Sequence, residues 1–218
     1  MAQKNTEKRE EILRVAYSLL SEYDYNKVTL GQIAEGAGIS KSLLQHYYYR
    51  KSDIMDAIIN DILTRTFEYY SKNTVYTGSL FQEISDFNML FFTAVAKDRS
   101  MEHFITMSVS SSELLEIWID VITKWFWEID EERPYPFLRL LSAISFSMAG
   151  TMYLYTHRDE LGLDYKLVCE NHIRAILTYL DVENERINSI LKITKEHLES
   201  FEPEKFLREC KKKISWMQ

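Results

Sequence analysis

Proline and glycine are scarce in this 218-residue chain, three and six respectively, which excludes a fold rich in tight turns or short strands. Cysteine is scarcer still. Cys169 and Cys210 lie far apart and form no CxxC pair, so neither a disulfide framework nor a zinc ribbon is written here. No apolar run reads as long enough to span a membrane, and the first residues, MAQKNTEKREE, lack the apolar stretch of a secretory leader. A cytoplasmic protein without a membrane partner is the expectation. There is no glycine-rich phosphate loop, no zinc-protease motif and no G-x-S-x-G elbow. The five histidines (His46, His103, His157, His172, His197) sit beside no plausible nucleophile in sequence. Nothing points to an enzyme, a cofactor or a metal. Cys169 and His172, three residues apart, would share a helical face, but a core cysteine beside a buried histidine accounts for them without a metal.

What is present is helical. Hydrophobic residues make up 46% of the chain and charged residues 27%, an ordinary globular balance. The net charge of −7 is unevenly placed. Residues 1–60 are neutral, with eight basic and eight acidic side chains, and the remainder carries the whole excess. Residues 36–52 hold Lys41, Arg50 and Lys51 and no carboxylate. The chain is acidic overall and locally basic.

That basic stretch lies in the segment VTLGQIAEGAGISKSLLQHYYYRK, Val28 to Lys51. Thr29 and Gln32 have the spacing of a capping box. Leu30, Ile33, Ala34 and Ala37 give the following helix an apolar face. Gly38 falls where the chain must reverse, and Ser40 caps a second helix from Lys41 to about Tyr48. Helix, glycine turn and capped helix make a helix-turn-helix unit, whose second helix lies in the DNA major groove.

With its flanks, the segment resembles the N-terminal domain of the TetR (tetracycline repressor) family. The matching residues are Ile12, Ala16 and Leu20 in a preceding helix, then Thr29, Ile33-Ala34 and Ala37-Gly38-Ile39-Ser40, then Tyr48, Lys51 and Ile54. The chain departs from the family at Leu43, Gln45 and Tyr47, and the motif covers roughly its first quarter. The resemblance implies an all-α protein with a three-helix DNA-binding domain, residues 1–51, and a larger helical ligand-binding and dimerisation domain, residues 52–218. The implied partners are double-stranded operator DNA, a second copy of the chain and a small hydrophobic effector. The implied function is a transcriptional regulator, a repressor released by a lipophilic ligand, with control by a protein partner as the alternative. Thr29 and Lys51 are then expected on phosphates at helix N-termini. Gln45 and Tyr47 take backbone-contacting positions, and Ser40, Lys41, Ser42, Leu43 and His46 face the groove.

Helical spacing organises the rest. Thr6–Glu22 reads as a first amphipathic helix and Ser52–Tyr70 as a helix linking the two domains. Asn73–Ser79 is a loop, followed by helix Phe81–Ala96, with Ile84, Phe87, Phe91 and Val95 on one side, and helix Met101–Val109. In Glu113–Asp130, an apolar face through Leu114, Trp118, Ile122 and Trp125 opposes Glu113, Glu116 and Asp120. The acidic stripe reads as a solvated face rather than a cation site. Pro134 is expected to open the next helix, in which Leu140–Thr156 holds no charged side chain and should be buried on more than one side. With the stripe through Cys169, His172, Ile173 and Ile176, it is expected to form half of a dimeric four-helix bundle. Asn184–Phe201 and a helix opened by Pro203 form a tail beyond the family's minimal plan. Phe67, Phe91, Phe104, Trp118, Ile122, Trp125, Phe146 and Tyr153 are the expected lining of an apolar effector cavity.

Overall fold

Residues 2–73, 79–109, 111–129 and 136–217 of the computed structural model are described, and among them there are twelve α-helices and no strand. The N-terminal unit is α1 (Ala2–Leu20), α2 (Leu30–Gly36) and α3 (Lys41–Tyr47). Ile12, Ala16 and Leu20 of α1 are fully buried with Ile33 of α2 and Leu44 of α3. Each such isoleucine or leucine contributes roughly 1.5–3 kcal/mol by leaving water. Two glycines permit this packing. A Cβ on Gly36 would stand 2.6 Å from Val15 Cγ1, so α2 approaches α1 closely only because none is there. Gly38 has φ +62°, the left-handed turn that separates α2 from α3.

Helix α4 (Lys51–Asn73) leads out of this unit as one continuous rod. It is longer than the Ser52–Tyr70 helix expected from sequence, and residues 74–78 of the expected loop lie outside the described ones. Helices α5 (Leu80–Val95), α6 (Arg99–Ser108) and α7 (Ser112–Ile129) follow. Then come α8 (Phe137–Thr156), the short α9 (Arg158–Leu161) and α10 (Tyr165–Tyr179), and last α11 (Asn184–Glu199) and α12 (Pro203–Lys213). Pro134, expected to open α8, lies outside the described residues. The helix begins at Phe137 with Pro136 as its N-cap. Pro203 does open α12, where its missing amide costs no hydrogen bond.

Two readings of the second domain need correction. Helix α5 has more than one apolar side, for it is buried almost all round, including Gln82, Glu83, Ser85, Asp86 and Asn88. The tail explains how polar residues are tolerated there. Helix α11 covers them and supplies partners: Thr194 Oγ1 donates to Asp86 at 2.6 Å and lies 2.7 Å from Ser85 Oγ. Gln82 Nε2 donates to Asp86 at 2.8 Å and to Thr194 at 2.9 Å. Buried polar groups satisfied in this way cost little, whereas exposed to an apolar neighbour they would cost several kcal/mol.

The second correction concerns α8 and α10. Ile173 and Ile176 are fully buried within the single chain, where α10 packs on α5 and α8. That stripe is core and is not an interface. Helix α8, instead of being covered on several sides, exposes one face. Leu138 is 71%, Phe146 68% and Tyr153 62% exposed. By length and composition α8 could cross a membrane, yet its other face packs on α7 and α10 within the helical body.

Candidate nucleic-acid interface and effector cavity

The recognition helix is fixed by its caps. Thr29 Oγ1 accepts from the Gln32 amide at 3.2 Å while Gln32 Oε1 accepts from the Thr29 amide at 2.8 Å. Ser40 Oγ accepts from the Leu43 amide at 3.1 Å, satisfying a donor at the start of α3. With Leu44 buried beneath, Lys41, Ser42, Leu43 and His46 are exposed together, and Gln45 and Tyr47 lie half-buried at the side. Of the residues expected to face a groove, Lys41, Ser42, Leu43 and His46 thus share one exposed surface.

Lys51 is different. Its ammonium donates to the backbone oxygens of Tyr25 and, at 2.7 Å, Val28, and sits 3.8 Å from the centre of the Tyr25 ring. Partial burial pulls its pKa below the usual lysine value. The ammonium thus forms an internal brace, which ties the start of α4 to the turn between α1 and α2. Thr29, likewise, uses its hydroxyl as a cap, although its side chain remains at the surface.

Two exposed residues on this side, Arg9 and Tyr49, are not among those expected to contact DNA. Arg9 of α1 lies over Tyr47 and Tyr48, at 5.9 and 5.6 Å from their ring centres. Tyr49 is 74% exposed beside Arg50. The aromatic run was visible in the sequence, but nothing local in it indicates that α1 delivers a guanidinium to its surface.

The eight residues expected to line an effector cavity do not come together. Phe67 stacks on Trp125 at 3.8 Å and 7°, Phe87 joins both, and Trp125 meets Phe126 at 4.6 Å. Phe91 bridges from Phe87 to Trp118. Trp118 is 1% exposed, with its indole N–H donating to Ser108 Oγ at 2.9 Å, and Ile122 is buried beside it. Trp118, Ile122 and Phe91 fill space, whereas Phe67 and Trp125 also border an open groove between α4 and α7. Phe104 points the other way, 5.1 Å from Tyr17 of α1, and Phe146 and Tyr153 stand on the exposed face of α8. An amphipathic spacing identifies an inward face, but cannot tell packed rings from rings around a hole.

A cavity lies elsewhere. It is half-open, about 490 Å³ in volume, and sits between α4, α5, α11 and α12, within the range of small-molecule sites. Helix α4 contributes Thr66, Tyr69 and Asn73, α5 contributes Phe87 and Leu90, and the tail contributes His197, Ser200, Phe201, Lys205 and Phe206. His197 Nδ1 lies 2.8 Å from Asp86 Oδ2. A second, open groove between α4 and α7 carries Glu113, Glu116 and Asp120 with Asp56 and Glu128, a largely solvated acidic surface. Among the described residues no cluster of three or more metal-ligating side chains occurs. Cys169 and His172 are both buried, the thiol's pKa is raised by burial, and His172 bonds Thr151 at 2.9 Å.

Residues 12–58, which include the capped pair α2 and α3, match the family model described as bacterial regulatory proteins, tetR family. The N-terminal unit is a TetR-family DNA-binding domain. The HTH-type transcriptional repressor KstR2 of Mycobacterium tuberculosis is 22% identical over 152 residues, covering 61% of this chain and 76% of that protein. The fold is that of solved TetR-type structures. One is a TetR transcriptional regulator from Rhodococcus sp. RHA1, with TM-score 0.62 and 13% identity, covering 83% of this chain and 98% of that one. Another is SmeT, the repressor of the Stenotrophomonas maltophilia multidrug efflux pump SmeDEF, with TM-score 0.53 and 16% identity, covering 78% and 88%. The Rhodococcus regulator is covered almost entirely, so part of this longer TetR-family chain has no counterpart there.

Proposed function

We propose that this TetR-family regulator is a cytoplasmic homodimeric repressor that leaves its operator when a small lipophilic molecule binds the second domain. The observation carrying this reading is the capped recognition helix, which holds Lys41, Ser42, Leu43 and His46 exposed on a buried Leu44. Lys41 and Ser42 supply donors for base edges or phosphates, Leu43 offers apolar contact to a thymine methyl, and Arg9, Tyr49 and Arg50 hold the flanking backbone.

Two such helices are needed to read a palindrome. The exposed faces of α8 and α10 supply the seam: Phe146 stacks on Tyr179 at 5.4 Å and 17°, with Leu138 and Tyr153 along the same face. Two copies of this helix pair make a four-helix bundle about a twofold axis. The recognition helices would then meet the DNA about one helical turn, roughly 34 Å, apart.

Control by a partner protein through the tail is the weaker reading, because α11 and α12 are occupied in covering α4 and α5 of their own chain. Selection of bound duplexes from a random pool tests the function. A palindromic site, bound with an affinity that falls steeply with salt, is the expected result. Recovery of no preferred sequence would reject it.

A further inference from the structure

We infer that the cavity roofed by the tail is the effector site, and that it takes an uncharged, ring-bearing molecule whose hydroxyl donates a hydrogen bond to His197 Nε2. The inference rests on the reading of this chain as a ligand-controlled regulator, and it assigns a role to the helices that exceed the TetR plan.

The ligand class follows from the walls. Phe206 meets Tyr69 edge-on at 4.9 Å and Phe201 at 5.3 Å, and Phe87 and Leu90 form the opposite side. Rings in tilted and edge-on array offer faces and edges to a flat ring. The charged groups already have partners. Asp86 accepts from Gln82, Thr194 and His197, and Lys205 lies 3.6 Å from Glu202. An anion would be repelled by Asp86 and Glu202, and a cation would have to displace the hydrogen bonds that Asp86 already accepts.

His197 sets the polar contact. An ionised carboxylate only accepts, so the Nδ1–H of His197 is the donor to Asp86, and Nε2 is the acceptor that the ring offers to the cavity it lines. The carboxylate fixes both tautomer and orientation, which makes His197 a selective acceptor for a phenol or alcohol.

Occupancy of this cavity has a path to the DNA-binding domain. Phe206 and Lys205 belong to α12, the rigid helix over α4. Just beyond it, Trp216 donates its indole N–H to Asp61 of α4 at 2.7 Å and packs 5.4 Å from Tyr17 of α1. A ligand that binds one placement of α12 better than another therefore biases how α1 sits on α4.

Titration calorimetry of the full chain with 4-hydroxybiphenyl and its methyl ether tests the site. The phenol should bind several-fold more tightly than the ether, the scale of one hydrogen bond to the half-exposed His197 ring. His197→Gln, whose amide can still donate to Asp86, should abolish that difference. Ser200→Trp, at an exposed helix end on the cavity rim, should remove binding of both without lowering the melting temperature. Absence of binding, equal affinity of the two compounds for the wild-type chain, or binding untouched by Ser200→Trp overturns the assignment. Operator binding, followed in the same samples by fluorescence anisotropy, separates the two readings. If the phenol binds as expected and the DNA is not released, the site stands and ligand control falls. If it releases DNA equally from wild type and Ser200→Trp, ligand control stands and this site falls.

Discussion

Trp118 on α7 donates its indole N–H to Ser108 at the end of α6, so the largest side chain of the core is also hydrogen-bonded to a neighbouring helix. Trp118→Ala removes a filled volume and one of the two hydrogen bonds of the Ser108 hydroxyl, which still donates to Ile105. A loss of about 3–5 kcal/mol is expected, with DNA binding and ligand response declining together. Trp118→Phe should cost less, since it keeps most of the volume. Denaturant melts read both. A small loss for the alanine variant with only ligand response altered would show that the indole lines a site.

Lys41 and Lys51 are both cations of the helix-turn-helix region, and their variants should behave differently. Lys41→Ala should leave the melting temperature unchanged and lower the slope of log affinity against log salt by about one. Lys51→Ala deprives the Tyr25 and Val28 carbonyls of their donor and should cost about 1–2 kcal/mol of stability. Equal melting temperatures for both variants would argue against the brace.

Dimerisation is tested by a pair of aspartates. Phe146→Asp lies at the surface of the single chain, so the fold should survive while dimerisation weakens by about a hundredfold or more. Ile173→Asp buries an unpaired carboxylate in the chain's own core and should unfold it. Sedimentation with circular dichroism distinguishes a folded monomer from an unfolded chain. A tight dimer in Phe146→Asp would move the interface off this face.

Acid should destabilise the protein through His172. Burial lowers its pKa from 6.5 to about 4, so the unfolded chain binds the proton that the folded chain refuses. The contribution is fully present above pH 6.5 and is lost as pH falls from there toward 4. Its total is on the order of 3 kcal/mol. His172→Gln should flatten the stability curve in that window. An unchanged slope would assign the acid sensitivity to other groups.

The helix-turn-helix could be read almost residue by residue, because its signals are local. A Thr-x-x-Gln box, a glycine with positive φ and a serine cap all act within four residues of where they stand. The second domain was legible as helices but not as an arrangement. Ile173 and Phe146 look alike as apolar residues on amphipathic helices, yet one is core and the other surface. Which is which depends on how α8 and α10 turn toward α5. Lys51 illustrates the same limit, since its partners lie more than twenty residues upstream. The cavity was illegible for a further reason. Its polar anchor joins Asp86 to His197 across more than a hundred residues, a pairing that no local periodicity announces.

The contact between Tyr17 and Trp216 also bears on how the protein folds. Helix α1 packs there against a turn beyond α12, across nearly the whole set of described helices. Sequence-distant contacts of this kind form late, since closing so long a loop is entropically costly. The N-terminal unit therefore gains its last stabilising contact only when the body behind it has folded.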